Sequence, residues 1–385
     1  MTQSQIVPEL YELIAPVERR GGDPSVLQPE QEGTALCLSG GGYRAMLFHV
    51  GAIIRLNQLG ILPKLDRISS VSGGSITAGM LAVAWKKLRF NAAGVAENLD
   101  ECFVTPLRAM SLHTIDASPI FEGVLQPGVV SDRISKSFKD YLFGATTLQD
   151  LPDTPRFVIN ATNLQSMSLC SFSKPYMWDY RVGKVSNPKI SLARAVTASS
   201  AFPWMLSPAE LHLKNSDYDA DTSTELHKEP YTTDMVFTDG GVYDNLGLET
   251  AWKKYSTLLV SDGGGAAQPE PEPKHDWAGH AYRVLDIVDS HVRSLRKRQL
   301  IGGFNVGLRK GTYWGIRTDI KNYSLSDALP CPFEKTIQLA EIPTRLKRLE
   351  PEQVKDLINW GYAVCDAAMR AHMNLGVVST PVLPS

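Results

Sequence analysis

The chain has little cysteine, little net charge, no short metal signature and no long apolar run. Five cysteines occur in 385 residues, Cys37, Cys102, Cys170, Cys331 and Cys365. An odd number at wide spacing in mostly apolar surroundings reads as reduced core thiols and not as a disulfide framework. Neither C-x-x-C nor H-E-x-x-H is present, so no metal and no cofactor is expected. A formal net charge of -2 exerts no general pull on nucleic acid. The apolar stretches are too short to span a bilayer, and Met1 to Pro16 shows no basic region ahead of an apolar one. The expected location is therefore cytoplasmic.

What the chain does have is a set of small-residue sites at strand ends. Thr34 to Ser39 is a short, uncharged, largely apolar run, followed by Gly40-Gly41-Gly42, then Arg44, then a periodic helix from Ala45 to Leu59. A strand, a glycine loop and a helix N-terminus present backbone N–H groups and a positive dipole end to an anion. That anion could be a phosphate or the oxyanion of acyl transfer. The run matches neither G-x-G-x-x-G nor the P-loop pattern.

About thirty residues on, Arg67 to Val71 forms a second apolar strand, and Ser72-Gly73-Gly74 separates it from an apolar helix that runs from Ile76 to Trp85. Ser72 thus stands where a sharp strand-to-helix turn lifts a hydroxyl clear of a sheet, with Gly73 directly after it as a further oxyanion donor. Ser70 occupies the place where the G-x-S-x-G pattern has its first glycine. An oxyanion loop and a nucleophile on neighbouring strands are the parts acyl transfer needs.

A serine also needs a base. No histidine stands in a triad-like context: His49 falls within the first helix, and His212, His227, His275, His280, His291 and His372 lie in polar loops or on helices without a motif. Asp239 ends the strand Met235 to Thr238 and precedes Gly240-Gly241, a turn that could bring its carboxylate to the serine. Ionised at its ordinary pKa, it would be available but weak as a base. Asp262-Gly263-Gly264 ends a second strand in the same way, and local physics barely separates the two aspartates.

Gly40-Gly41-Gly42-Tyr43-Arg44, Ser70-Val71-Ser72-Gly73-Gly74-Ser75 and Asp239 to Gly247 resemble, in this order, the three signatures of patatin-like phospholipases. Ala161-Thr162-Asn163-Leu164 and Ala195 to Pro203 resemble two further segments of that family. The resemblance runs from about residue 33 to about residue 265. It implies a Ser-Asp dyad without histidine, Ser72 as nucleophile, Asp239 as base, and an oxyanion site formed by Gly40, Gly41, Gly42 and Arg44. The chain departs from the family at Ser70 and at Ala45.

Strands alternating with helices predict an α/β fold, a mostly parallel sheet with helices on both faces. The motifs favour one domain over 33–375, with an arm or linker over 1–32 that includes a short helix near Leu10 to Ile14, and a tail over 376–385. A last helix begins at Pro351 and turns Val354, Leu357, Ile358 and Tyr362 inward. Lys214 to Thr233 and Gly263 to His275 are expected as loops. Asp217, Asp219 and Asp221 in the first mimic the start of a calcium loop but lack its glycine and its final acid, so a solvated loop is expected. Between Val284 and Leu300, Leu285, Val288, Val292 and Leu295 make an apolar face, expected to pack on the core. Arg293, Arg296, Lys297 and Arg298 make a basic one, with Arg309, Lys310, Tyr313 and Trp314 beyond it. That basic face is expected to be solvated, and the alternative is that it makes a peripheral contact with anionic lipid.

The expected activity is lipid acyl hydrolysis, cleaving carboxylic esters of phospholipids or lysophospholipids through an acyl-enzyme. The alternatives are an esterase or acyltransferase with a histidine triad, for example through His280, and a non-catalytic protein whose glycine loop holds phosphate or lipid.

Overall fold

The computed structural model describes residues 31–116, 129–203, 206–220, 224–265, 268–375 and 379–384. The expected helix at Leu10 to Ile14 and Asp221 of the calcium-like loop lie outside the described residues.

The strands are β1 (Gln31–Leu38), β2 (Arg67–Val71), β3 (Arg156–Asn163), β4 (Ser168–Ser173), β5 (Tyr176–Asp179), β6 (Gly183–Ser186), β7 (Ala209–His212), β8 (Asp234–Asp239), β9 (Tyr255–Asp262) and β10 (Lys310–Gly315). They form one mixed sheet. Spatially, β10, β9, β1, β2 and β3 run parallel in that order, which is the expected α/β half. β2 is buried along its whole length and β1 over its last four residues, as a sheet covered on both faces requires. Beyond β3 the sheet continues antiparallel through β4, β5 and β6, while β7 and β8 form a separate antiparallel pair that also joins β3.

Two helices leave the parallel half at once, α1 (Gly42–Gln58) after β1 and α2 (Gly73–Trp85) after β2. Nearly every residue of α1 is buried, because it lies between the sheet and the last helix of the chain, Pro351–His372. The two helices cross so closely that a Cβ at Gly51 would strike the Ile358 carbonyl, and one at Gly361 the Phe48 carbonyl. Arg55 and Asp366 tie the same crossing with a buried ion pair at 2.7 Å. Val354, Leu357, Ile358 and Tyr362 are buried, as their spacing predicts.

The junction on β3 positions the site. β2 pairs with β3 up to Val71 opposite Asn160, and β8 pairs with β3, on the opposite course, up to Asp239 opposite Ala161. The two strands therefore run toward each other along one edge of β3 and meet end to end. Residues leaving their tips, Ser72 from one and Asp239 from the other, are brought together although 167 positions separate them in sequence, 239 less 72.

Candidate active site

Ser72 caps α2 with φ 51 and ψ -120, a conformation that L residues rarely adopt. Such a backbone costs about 1–3 kcal/mol and persists only where the surroundings hold it. The surroundings do so through serines. The Ser72 N–H donates to Ser199 Oγ at 3.0 Å, and Ser199 Oγ donates to the Asn160 carbonyl at 2.6 Å. Ser75 Oγ lies 2.9 Å from Ser199 Oγ and donates to Ser70 Oγ at 3.0 Å, and Ser70 Oγ donates to the Val158 carbonyl at 3.3 Å. Ser70 is thus not only a small residue in a glycine's place: its hydroxyl joins the network beneath the turn. Ser199, from the helix α3 (Leu192–Ser199), was not singled out by sequence reasoning. Its only signal was its place in the small-residue segment Ala195 to Pro203, which resembles a segment of the family.

The two Asp-Gly-Gly turns, alike in sequence, differ in the structure. Asp239 is buried; its Oδ1 accepts from Gly241 N–H at 2.7 Å, and its Oδ2 has no hydrogen-bond partner among the described residues. Burial pushes its pKa up to about 7, against smaller lowering effects of the Gly241 amide and the Ser72 hydroxyl. Ser72 is thus near enough to act on the carboxyl without making a hydrogen bond of full geometry in this state. The expectation of a carboxylate ionised at its ordinary pKa is corrected: removal from water makes Asp239 a stronger base than an exposed aspartate.

Asp262 is also buried, but it is fully engaged. Tyr313 Oη donates to Oδ2 at 2.7 Å and Gly264 N–H to Oδ1 at 2.9 Å. Burial alone would raise its pKa; the Arg293 and Lys297 charges, with these hydrogen bonds, outweigh it and hold the carboxyl below its ordinary range.

The glycine loop is pressed against Ser72. A Cβ at Gly73 would strike the Gly42 carbonyl, so the glycine loop and the serine turn meet backbone to backbone. The N–H groups of Gly41, Gly42 and Gly73 donate to no described residue. Two other members of the expected oxyanion set are placed differently. Gly40 N–H is bound to the Asn245 carbonyl at 3.0 Å and to Asn245 Oδ1 at 3.1 Å, so it anchors the loop to the segment that follows Asp239. Arg44 is buried, and its guanidinium donates to the carbonyls of Gly263 (3.0 Å) and Ile342 and to Thr344 Oγ1 (3.1 Å). Burial, reinforced by Arg293, pulls its pKa down to about 9. Arg44 clamps two loops over the cavity, and each of its three nitrogens donates one hydrogen bond in doing so. Gly241 sits at the turn with its N–H on Asp239, and a Cβ at Gly240 would strike the Asn160 carbonyl.

Ser72, Asp239, Gly40, Gly41 and Arg44 line one cavity of about 470 Å³. Its remaining wall includes Phe202, Pro203, Val242, Ile342 and Pro343 and the helix α4 (Trp277–Asn305), which contributes Leu285, Val288 and Val292. The expected core face of this helix is therefore a cavity wall in part, and Leu295 is half-exposed. Its basic face also differs from expectation. Arg293 pairs with Asp289 at 2.6 Å, Arg296 pairs with Glu249 at 3.0 Å, and Lys297 lies 5.9 Å from the Tyr313 ring centre. Asp289 of the same helix and Glu249 and Asp262 from other elements draw three of the four cations inward, and Arg298 alone of them is exposed. Arg309 is likewise buried against Trp252, and Trp314 is in the sheet core.

Among the described residues no histidine lines the cavity. His49 is fully buried, 2.8 Å from Ser261 Oγ and 3.0 Å from the Ser39 carbonyl, and burial lowers its pKa to about 4. His280 is exposed. Asp219 of the calcium-like loop accepts from Ser186 Oγ at 2.6 Å and pairs with Lys184 at 3.2 Å. All five cysteines are free. No helix among the described residues is long and apolar enough to cross a membrane.

A family model described as patatin-like phospholipase matches residues 36–252, more than half of the chain. No curated protein sequence matches it. Among solved structures, human GIVD cytosolic phospholipase A2 is similar at a TM-score of 0.46 and 12% identity, over 95% of this chain and 65% of that one. The same human protein in complex with methyl gamma-linolenyl fluorophosphonate is similar at 0.49 and 12%, over 95% and 62%. VipD from Legionella pneumophila is similar at 0.37 and 16%, over 94% and 73%. The chain thus spans less than two thirds of the human phospholipase chains it resembles, and at these scores the likeness concerns the general course of the chain alone.

Proposed function

This chain belongs to the patatin-like phospholipase family, a family of lipid acyl hydrolases, and on that premise we propose that it cleaves phospholipid or lysophospholipid esters with Ser72 and Asp239. The observation that carries the proposal is the unpaired Oδ2 of the buried Asp239, on the wall of the same cavity as a serine held in a strained turn. A buried carboxylate with a free lone pair and a pKa near 7 is suited to take a proton from a hydroxyl.

Ser72 Oγ attacks the ester carbonyl carbon while Asp239 Oδ2 accepts the hydroxyl proton. Negative charge develops on the carbonyl oxygen, and the N–H groups of Gly41, Gly42 and Gly73 receive it. Because these donors are fixed by packing, they need no reorganisation as the charge forms, which is where such a site gains its rate. The intermediate collapses, the C–O bond to the lipid alcohol breaks, and Asp239 returns the proton to the leaving oxygen. Water then attacks the acyl-serine, Asp239 takes the water's proton, and the fatty acid departs as Ser72 regains it. Arg44 acts here as a positioning residue, through the loops it clamps.

The test is fatty acid release from phosphatidylcholine and lysophosphatidylcholine by wild type and Ser72→Ala. Release by wild type alone supports the reading. Release by both would move the nucleophile elsewhere, and release by neither, with lipid still bound, would favour the non-catalytic reading.

A further inference from the structure

We propose that the outward face of α4 and the rim of the Ser72 cavity form a surface that inserts into the headgroup boundary of a phospholipid bilayer. What the cavity does once docked rests on the hydrolase reading above; the docking itself does not.

The 29 residues of α4 include only two buried ones, Leu300 and Gly303, although the helix is rich in large apolar side chains. Trp277 is 84% exposed, Ile287 55% and Val288 52%, and Val284 and Leu295 are close to half-exposed. At about 100° per residue, these five fall within an arc of about 100°, one face of the helix. The flank beside it carries Leu285 and Val292, which line the cavity. So α4 has two apolar sides, one turned to the cavity and one to solvent. In a water-soluble surface helix the side opposite the protein is ordinarily polar.

Charge distribution narrows the partner. Both acids of the helix, Asp286 and Asp289, line the cavity, and the outward arc carries none; its polar side chains are His280, His291, Arg298 and Asn305. A face of this kind meets no repulsion from lipid phosphates, and its apolar residues supply the binding.

The strip is also continuous with the cavity mouth. Val288 belongs to both, being half-exposed and a lining residue at once. Val242, from the turn after Asp239, and Tyr282 are exposed lining residues too. A mouth rimmed by apolar groups and set beside an apolar strip lets an acyl chain pass from bilayer to cavity without crossing water. That continuity selects a bilayer over a second copy of the chain as the occupant, because a copy seated there would cover the entrance.

The full chain is mixed with large unilamellar vesicles of pure phosphatidylcholine and sedimented at low and at high salt. A triple variant, Trp277→Ser, Ile287→Asp and Leu295→Asp, is compared, with Ile287→Leu and Leu295→Met as the apolar-conserving control. None of these side chains lines the cavity. Wild type and control should bind equally at both salt levels. The triple variant should bind on the order of 100-fold more weakly, as expected for losing the partial burial of three large apolar side chains. All three proteins should hydrolyse a short soluble ester at one rate. Equal vesicle binding by the triple variant would overturn the proposal, as would wild-type binding that needs anionic lipid and disappears in salt. Self-association of wild type without vesicles, lost in the triple variant, would overturn it in favour of an interface between copies. Wild type that binds vesicles but hydrolyses no ester would sink the hydrolase reading and leave the docking surface standing.

Discussion

The burial of Asp239 should make the protein less stable as pH rises, and Asp239→Asn should remove that dependence. In the unfolded chain the carboxyl ionises near 3.8; in the native state it ionises at about 7. Between those values the native state holds a proton that the unfolded state has lost, so stability falls as pH rises through this window and levels off above it. A rise of about 3 pH units at about 1.4 kcal/mol each amounts to about 4 kcal/mol in all. Asparagine keeps the shape and cannot ionise. Urea unfolding at about pH 5 and about pH 8 should show wild type losing about 2.5 kcal/mol relative to Asp239→Asn, the remainder having been lost below pH 5. The same carboxyl, as base, must be deprotonated to work, so kcat/KM should rise with pH around a midpoint of about 7 while the stability contribution falls. A stability difference that is the same at both pH values would refute the assignment of a raised pKa to Asp239.

Ser199→Ala should lower kcat by roughly tenfold with KM nearly unchanged, since it removes the acceptor that holds the Ser72 N–H without touching the cavity wall; steady-state kinetics on a soluble ester would show this. Arg44→Ala should destabilise the fold by about 2–4 kcal/mol in urea unfolding, because two carbonyls and a hydroxyl lose their donor, and a fall in kcat should accompany it as the clamped loops relax. Asp262→Asn should act on stability and leave active-site labelling in place, because Asp262 is tied to Tyr313 and Gly264 and does not line the cavity; unfolding and labelling measured on one preparation would separate the two effects.

The parallel half of the fold was legible because each of its early strands ends in a glycine turn and begins a helix, and both periodicities can be read locally. The antiparallel extension was less so. β5 and β6 have four residues each, β5 carries an exposed Trp178 and an exposed Tyr180 follows it, so two inward positions per strand are all the pattern such a strand can show. The proposed nucleophile, Ser72, was readable for the same local reason as β2. The proposed base was not legible locally: Asp239 and Asp262 share the Asp-Gly-Gly context, so only the family resemblance chose between them, and what distinguishes them in the fold is that β8 runs against β3 toward Ser72 whereas β9 lies beyond β1. The basic face of α4 reads as a solvated one because Glu249 and Asp262, which draw Arg296, Arg293 and Lys297 inward, come from other elements. Gly40 and Arg44 were found as site residues, but their donors are used within the protein, a matter of tertiary hydrogen bonds that no motif displays.

The central claim is that Ser72 is made nucleophilic by Asp239 alone. A fluorophosphonate probe applied to intact protein, with the modified peptide identified by mass spectrometry, tests it most directly. Labelling should occur at Ser72, be absent in Ser72→Ala, and be slowed by at least ~10² in Asp239→Asn, as loss of a general base requires. It should persist when each histidine is replaced in turn. Labelling retained in Ser72→Ala, or abolished by replacing a single histidine in a protein that remains folded, would contradict the account.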